Sequence, residues 1–350
     1  MFKIGKLPQG FLEYLIKKYT HKNSRIVIGP GIGKDAAVID IGNKYLIAKT
    51  DPVTLASKEA GWYLVNINAN DIACMGAKPR WLIATLLLPE KNTTNKLIEE
   101  IFASVSKACK KLGIALCGGH CEITYGIDRP IIIGAMFGEV AKNKLIKGKV
   151  QNGNDIILTK GIAVEGTAII ANEKETFLKK KFSAAFIRKA KAYLHNPGIS
   201  IVKEALLASS IVNVNYMHDP TEGGLATGLY EVTKACNAGV IVEEDKIPVF
   251  PESRILCEEF GLEIMGTIAS GALIIICSHR DTERIIKALS KKKIRATVIG
   301  KITEKKSGAK IKNGKGRLHN LNHFPQDEIT KIYPKIMREN RSKIQGGVLK

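Results

Sequence analysis

The sequence predicts two α/β domains. Three observations carry that expectation. A length of 350 residues favours about two domains. Predicted strands and helices alternate in both halves. The polar, Gly/Asn-rich stretch "KVQNGNDI" (149–156) lies between them as a boundary. With 45% hydrophobic and 25% charged residues, the chain has the make-up of an ordinary globular protein with a sizeable core.

The elements follow in order. "LPQGFLEYLIKKY" (7–19) places Phe11, Leu12, Leu15, Ile16 and Tyr19 at helical spacing. The glycine loop "GPGIGKD" (29–35) leads into the strand "AAVIDI", and "KYLIAKTD" (44–51) is a second strand ending at Asp51. Ser57 is a candidate cap for a helix reaching about Met75. "RWLIATLLL" (80–88) is a buried strand before Pro89. Thr93 or Thr94 caps a helix through Leu112, with Leu97, Ile98, Ile101, Val105, Ala108, Cys109 and Leu112 on its apolar face. "IALCGGH" is a strand that breaks at its glycine pair, and "RPIIIGAMFGEV" is another strand. In the second half, "DIILTKG", "ALIIIC" and "ATVIGKI" are strands. "IAVEGTAIIANE" and "DTERIIKALSKK" are helices, as are two stretches within 183–210 around "NPG". "HDPTEGGLATGLYEVTKA" is a polar loop feeding a helix. The expected division is 1–150, 151–305 and a basic tail 306–350, with a short helix near 327–338.

Composition excludes several classes. The formal net charge is +21. The lysines are nevertheless spread along the chain, aromatics are only 6%, and no stretch alternates basic with aromatic residues, which argues against nucleic acid as the main partner. The seven cysteines follow no framework. No apolar run follows the opening, as a signal peptide requires, and none approaches a membrane span. A cytoplasmic protein is expected.

The glycine loop has the look of a phosphate site but fails both common patterns. A P-loop needs Ser or Thr where Asp35 stands and glycine where Ile28 stands. A dinucleotide fingerprint needs glycine at Lys34. Carboxylates instead recur beside Gly, Asn or Thr at the ends of predicted apolar segments: Asp35, Asp51, Asp71, Glu122 and Asp219. Each alone also suits a turn or a helix cap. Several together, without Cys/His ligand spacing, suit a hard cation such as Mg²⁺ or Mn²⁺. Cys117 and Cys121 form a single C-x₃-C pair, too little for zinc.

In this order and spacing, "GPGIGKDAAVID", "AKTDPV", "VNINANDIACMGAKPRWL" and "CGGHCEIT" resemble the ATP-binding half of the aminoimidazole ribonucleotide (AIR) synthetase-like superfamily. That superfamily includes thiamine-monophosphate kinase, selenophosphate synthetase and the hydrogenase maturation protein HypE. "TKGIAVEGTAIIA", "NPGISIV", "MHDPTEGGLA" and "ASGALII" resemble its C-terminal domain, nearest to HypE-like proteins. The resemblance implies a two-domain α/β (α+β) fold whose N-terminal domain pairs with its copy in a homodimeric β-barrel. It implies ATP and Mg²⁺ as cofactors, with Asp35, Asp51 and Asp71 on the metal. Gly31, Gly33, Lys34, Thr50, Asn70, Gly118, Gly119 and Glu122 are implied at the nucleotide, and His120 and Asp219 in catalysis. The implied reaction transfers phosphoryl from ATP to an oxygen of a small-molecule or protein-borne acceptor, with a maturation protein as a further partner. A thiamine-monophosphate kinase-like enzyme and an ATP-binding scaffold are the alternatives. The chain departs from the pattern at Lys34, where many relatives are acidic. No cysteine precedes Cys74, which argues against selenophosphate synthesis. None follows Cys277, so the HypE reaction on a C-terminal thiol is not expected.

Overall fold

The computed structural model describes residues 7–31, 33–54 and 58–333. Ser57 and residues 334–350, and with them the expected cap and the end of the expected short helix, lie outside the described residues.

The first domain is one open six-stranded sheet covered by helices. Its elements are α1 (Gln9–Tyr19), β1 (Ile26–Ile28), β2 (Ala37–Asp40), β3 (Lys44–Val53), α2 (Ala60–Cys74), β4 (Lys78–Pro89), α3 (Asn95–Leu112), β5 (Ala115–Thr124) and β6 (Ile131–Ala141). Strand order is β1-β2-β3-β6-β4-β5, antiparallel except for the parallel β4–β5 pair. The long β3–β6 pairing joins Lys44 with Ala141 and Val53 with Ile132. The helix α3 is stopped at both ends as its sequence requires. The Thr94 side chain accepts from the Leu97 N–H at 3.2 Å, and Gly113 takes the left-handed φ of +66° that closes the C-terminus. The strand β5 does not break at its glycines. It runs through Gly118 and Gly119 because glycine lets it approach β4, where a Cβ on Gly119 would come 1.8 Å from the Ala84 carbonyl oxygen.

The helix α2 is buried on nearly all sides, Asn66, Asn68, Asn70 and Asp71 included. Such a helix has a layer on each face. One layer is the first sheet with α3. The other is the second domain: Trp62 Nε1–H donates to the Leu194 carbonyl at 3.3 Å, and Asn70 bonds residues 199 and 201.

The second domain comprises β7 (Asp155–Thr159), α4 (Val164–Glu173), α5 (Glu175–Leu178), α6 (Ala184–Ala192), α7 (Val202–Ile211), β8 (Tyr216–His218), α8 (Gly224–Cys236), β9 (Gly239–Glu243), α9 (Pro251–Glu259), β10 (Ile274–Cys277), α10 (His279–Lys291), β11 (Ala296–Thr303), β12 (Ala309–Lys312) and β13 (Leu318–Asn320). Its sheet runs β13-β12-β9-β11-β7-β10-β8, antiparallel except for β9–β12. The central strands β7 and β10 are buried on both faces, β10 apolar throughout and β7 around its Ile156–Leu158 core. A tail from residue 306 is not what the structure shows: β12 and β13 extend this sheet, and a 3₁₀ turn at Glu328–Ile332 buries Ile329 and Ile332. Among the described residues no helix is long and apolar enough to cross a membrane.

Candidate active site

A cavity of about 1190 Å³ opens between the domains, floored by β3, α2 and β8 and walled by the glycine loop, α4 and α8. Gly31, Gly33 and Lys34 line it, with Asp35, Asp51, Asp71 and Asp219. Four elements from two domains thus bring four carboxylates together. Asp35 follows the glycine loop, Asp51 lies on β3, Asp71 is buried near the end of α2, and Asp219 follows β8.

Each carboxylate is fixed locally. Asn68 accepts from the Asp51 N–H at 2.9 Å and donates to its carbonyl at 3.3 Å, pinning that strand residue to α2. Asp35 Oδ1 accepts from His218 Nδ1 at 2.8 Å, and His218 Nε2 lies 3.0 Å from Glu231 Oε2. Burial alone would push the His218 imidazole down, but the Asp35 and Glu231 carboxylates outweigh it and hold the ring protonated, well above its ordinary range. The Cys74 thiol donates to Asp219 Oδ1 at 3.7 Å. The glycine loop is tied to the second domain by the Tyr216 hydroxyl, which donates to the Gly33 carbonyl at 2.9 Å. Gly33 has φ +68°, and a Cβ there would come 2.8 Å from Ala235 Cβ and 2.9 Å from the Glu231 carbonyl oxygen, so only glycine lets the loop sit against α8.

Lys49 stands two residues before Asp51 on β3, hence on the same face. Its ammonium is 3.0 Å from Asp71 Oδ2 and 3.3 Å from Asp51 Oδ2. Burial would lower its pKa, but the two aspartates raise it. Burial lifts Asp51 to about 7, Asp71 to about 8 and Asp219 to about 6, with neighbouring carboxylates adding to each rise. The raised carboxylate pKa values reflect enclosure first and the mutual repulsion of neighbouring carboxylates second. Two buried oxygens, Asp35 Oδ2 and Asp219 Oδ2, have no hydrogen-bond partner. Those orphaned oxygens and the all-oxygen donor set fit a hard divalent cation. Among the described residues, however, no three or more His, Cys, Asp or Glu side chains are already gathered as a metal cage.

The far end of the cavity is also acidic. Glu165, near the start of α4, is buried, and its Oε2 has no hydrogen-bond partner; the same holds for the buried Ser270 hydroxyl. Burial pushes Glu165 up to about 7 against the opposing pull of Ser270. Asp327 closes this end by accepting from the N–H groups of Gly223, Ile268 and Ile329.

Other expected site residues lie elsewhere. Thr50 is exposed on the face of β3 opposite Lys49 and Asp51. Asn70 is committed to the domain joint: Nδ2 donates to the Ile199 carbonyl at 3.0 Å and Oδ1 accepts from the Ile201 N–H at 2.9 Å. Gly118, Gly119, His120 and Glu122 sit on the exposed edge strand β5, and none lines the cavity. His120 and Glu122 face one another at 3.4 Å. Sequence reasoning missed Lys49, His218, Glu231 and Glu165. Signals existed for three: Lys49 shares a strand face with Asp51, His218 adjoins Asp219, and Glu165 is a lone carboxylate in an apolar run.

Models of the AIR synthase related protein N-terminal and C-terminal domains match residues 33–140 and 151–312. The chain belongs to the AIR synthase-related family. Within that family it is 31% identical over 323 residues to a hydrogenase expression/formation protein of Methanocaldococcus jannaschii, covering 87% of this chain and 92% of that protein. It is 29% identical over 240 residues to the carbamoyl dehydratase HypE of Cupriavidus necator, covering 68% and 65%. It is 26% identical over 315 residues to a thiamine-monophosphate kinase of Buchnera aphidicola, covering 84% and 92%. Among solved structures, the HypE–HypF complex aligns with a TM-score of 0.73 at 19% identity over 90% of this chain and 99% of that chain. HypE in complex with ATP aligns with a TM-score of 0.71 at 21% identity over 92% and 96%. The two-domain AIR synthase-like fold with mixed α/β content is thereby established, although the first sheet is open in the single chain and forms no barrel by itself.

Proposed function

We propose that this chain is a HypE-like, Mg²⁺-ATP-dependent enzyme that transfers a phosphoryl group to an oxygen of an acceptor held between its two domains. The observation that carries the reading is the convergence of Asp35, Asp51, Asp71 and Asp219 from both domains beside the glycine loop, with two buried oxygens unpartnered. ATP binding by a structural neighbour of the same fold supports it. In this reading Asp35 and Asp219 would hold Mg²⁺, with Asp71 beside it, and the ion would supply neutralisation of phosphate charge. The chain's own part is positioning. Gly31 and Gly33 let backbone N–H groups approach phosphates, and Lys34 and Lys49 add fixed positive charge. His218 orients Asp35 through their hydrogen bond.

The acceptor is assigned to the far end, where the buried Glu165 carboxyl and Ser270 hydroxyl line the cavity. That end favours an acceptor bearing N–H groups and disfavours a phosphomonoester, because among the described residues no lysine or arginine lines it. This ranks a thiamine-monophosphate kinase reading second, although the chain aligns with 92% of one such enzyme.

A homodimer is part of the proposal. The edge strand β5 and its surroundings expose Leu116, Ile123 and Tyr125, a combination that isolated edges avoid. Pairing there with a second copy would cover the edge and leave Gly118, Gly119, His120 and Glu122 to serve across the interface. The HypE–HypF neighbour supports a maturation protein as a further partner, and a cytoplasmic location goes with both. The test is ATP turnover screened against carboxamide-bearing, amine-bearing and phosphomonoester acceptors, with phosphorylated products identified by mass spectrometry. Turnover stimulated by an N–H-bearing acceptor supports the reading. Stimulation only by thiamine monophosphate transfers it to the kinase alternative, and turnover indifferent to every acceptor favours a scaffold.

A further inference from the structure

Among the described residues Lys49 is the one ammonium paired with the carboxylate cluster, and its place there has a consequence for the metal. We propose that Lys49 is a built-in cation that occupies the Asp51–Asp71 pair in place of a divalent ion, so that divalent metal is confined to the Asp35–Asp219 side of the site. The proposal rests on the reading of this cluster as a metal-nucleotide site.

Three observations carry it. The Lys49 ammonium lies between Asp71 Oδ2 and Asp51 Oδ2, at 3.0 and 3.3 Å. Its position is fixed by the strand: residues 49 and 51 share a face of β3, and Asn68 pins the Asp51 backbone to the helix that carries Asp71. A magnesium ion needs carboxylate oxygens at about 2.0–2.1 Å in a near-octahedral shell. An ammonium and a divalent ion cannot share one pair of oxygens, because each excludes the other both sterically and by charge.

The second observation is where free coordinating capacity remains. Asp35 gives Oδ1 to His218 and Asp219 gives Oδ1 to Cys74, while the other oxygen of each is buried without a partner. Both aspartates are more than nine-tenths buried. Unsatisfied buried carboxylate oxygens point to a missing cation at that side and not at the side Lys49 fills.

The third observation excludes the other candidate neutraliser. Lys34 adjoins Asp35 in sequence, but it is exposed and forms no ion pair among the described residues. Beside the His218 imidazole on Asp35, the charge of the cluster is therefore met from within by Lys49, and the remaining deficit falls to metal.

The test counts Mn²⁺ bound to the full-length chain without nucleotide, by electron paramagnetic resonance titration. Lys49→Met, of similar length and no charge, is expected to bind one equivalent more than the wild type, and Lys49→Arg the same number as the wild type. Asp51→Asn in the wild-type background is expected to leave the count unchanged, whereas Asp219→Asn lowers it. An equal or smaller count in Lys49→Met, or a count lowered by Asp51→Asn, overturns the proposal. Lys49→Gln replaces Lys49→Met if the latter fails to give a cooperative melt, and the Asp51→Asn arm decides independently of both. ATP titrated in parallel separates the two claims: no ATP binding removes the functional reading while the Mn²⁺ counts still decide the role of Lys49.

Discussion

Replacing Glu165 by Gln tests whether the far end of the cavity stores an unmet charge. The native carboxyl is raised by burial from 4.5 to about 7. A carboxyl with a raised native pKa holds its proton in the folded state where the unfolded chain has already lost it. Stability therefore falls as pH rises from about 4.5 to about 7 and stays at the lower level above that. At about 1.4 kcal/mol per pKa unit the penalty is on the order of 3 kcal/mol for a group this buried. Gln keeps the shape and cannot ionise, so Glu165→Gln is expected to match the wild type near pH 4 and exceed its stability by about 3 kcal/mol near pH 8. For a chain of this length melting as one unit, that is a rise of about 4 °C in Tm, and more if the second domain melts alone. Scanning calorimetry at both pH values, read as variant minus wild type, cancels the titration of the other carboxylates. A difference that does not change with pH refutes the raised pKa and, with it, the argument that this end awaits an N–H-bearing ligand.

Further expectations concern the frame around the cavity. Asn70→Ala leaves the Ile199 carbonyl and the Ile201 N–H without their partner at a buried joint, at a cost of about 3 kcal/mol; a melting temperature equal to the wild type contradicts the interdomain role. Gly119→Ala drives a Cβ to within 1.8 Å of the Ala84 carbonyl oxygen, so β5 must leave β4. Its hydrogen exchange in β5 should speed up at least tenfold, and light scattering should report loss of any dimer formed on that edge; native protection in β5 contradicts both. Asp71→Asn removes a charge that holds Lys49 and faces the metal side, and it should weaken Mg²⁺-ATP binding by up to several kcal/mol; unchanged calorimetric affinity in a folded variant contradicts the placement of Asp71.

Much of the frame was legible because its signals are local. Thr94 and Gly113 bound α3 through cap chemistry that needs no distant partner, and the apolar runs of β4, β7 and β10 announce buried strands. The three-residue β8 and the strands β12 and β13 were not legible, since short strands take their conformation from the sheet they join. Four aspartates of the cluster could be picked out as carboxylates at turns, but not the hydrogen bonds that arrange them. The partnership of His218 with Asp35 and Glu231 spans both domains and leaves no trace in spacing. Asn70 misled because a buried amide at a turn suits a phosphate and a domain joint equally, and only the Ile199 and Ile201 backbone groups decide which. The glycines of β5 also answer to packing: Gly119 lets β5 approach Ala84 across the sheet, a contact the sequence does not display.

The central claim is that the cluster of Asp35, Asp51, Asp71 and Asp219 beside the glycine loop binds ATP through a divalent metal. Titration calorimetry of ATP into the full chain, once with Mg²⁺ and once with EDTA, measures it most directly. The account predicts binding with Mg²⁺ that weakens at least tenfold in EDTA, since four close carboxylates repel bare phosphates. Equal affinity in both, or no binding with Mg²⁺ present, would contradict it.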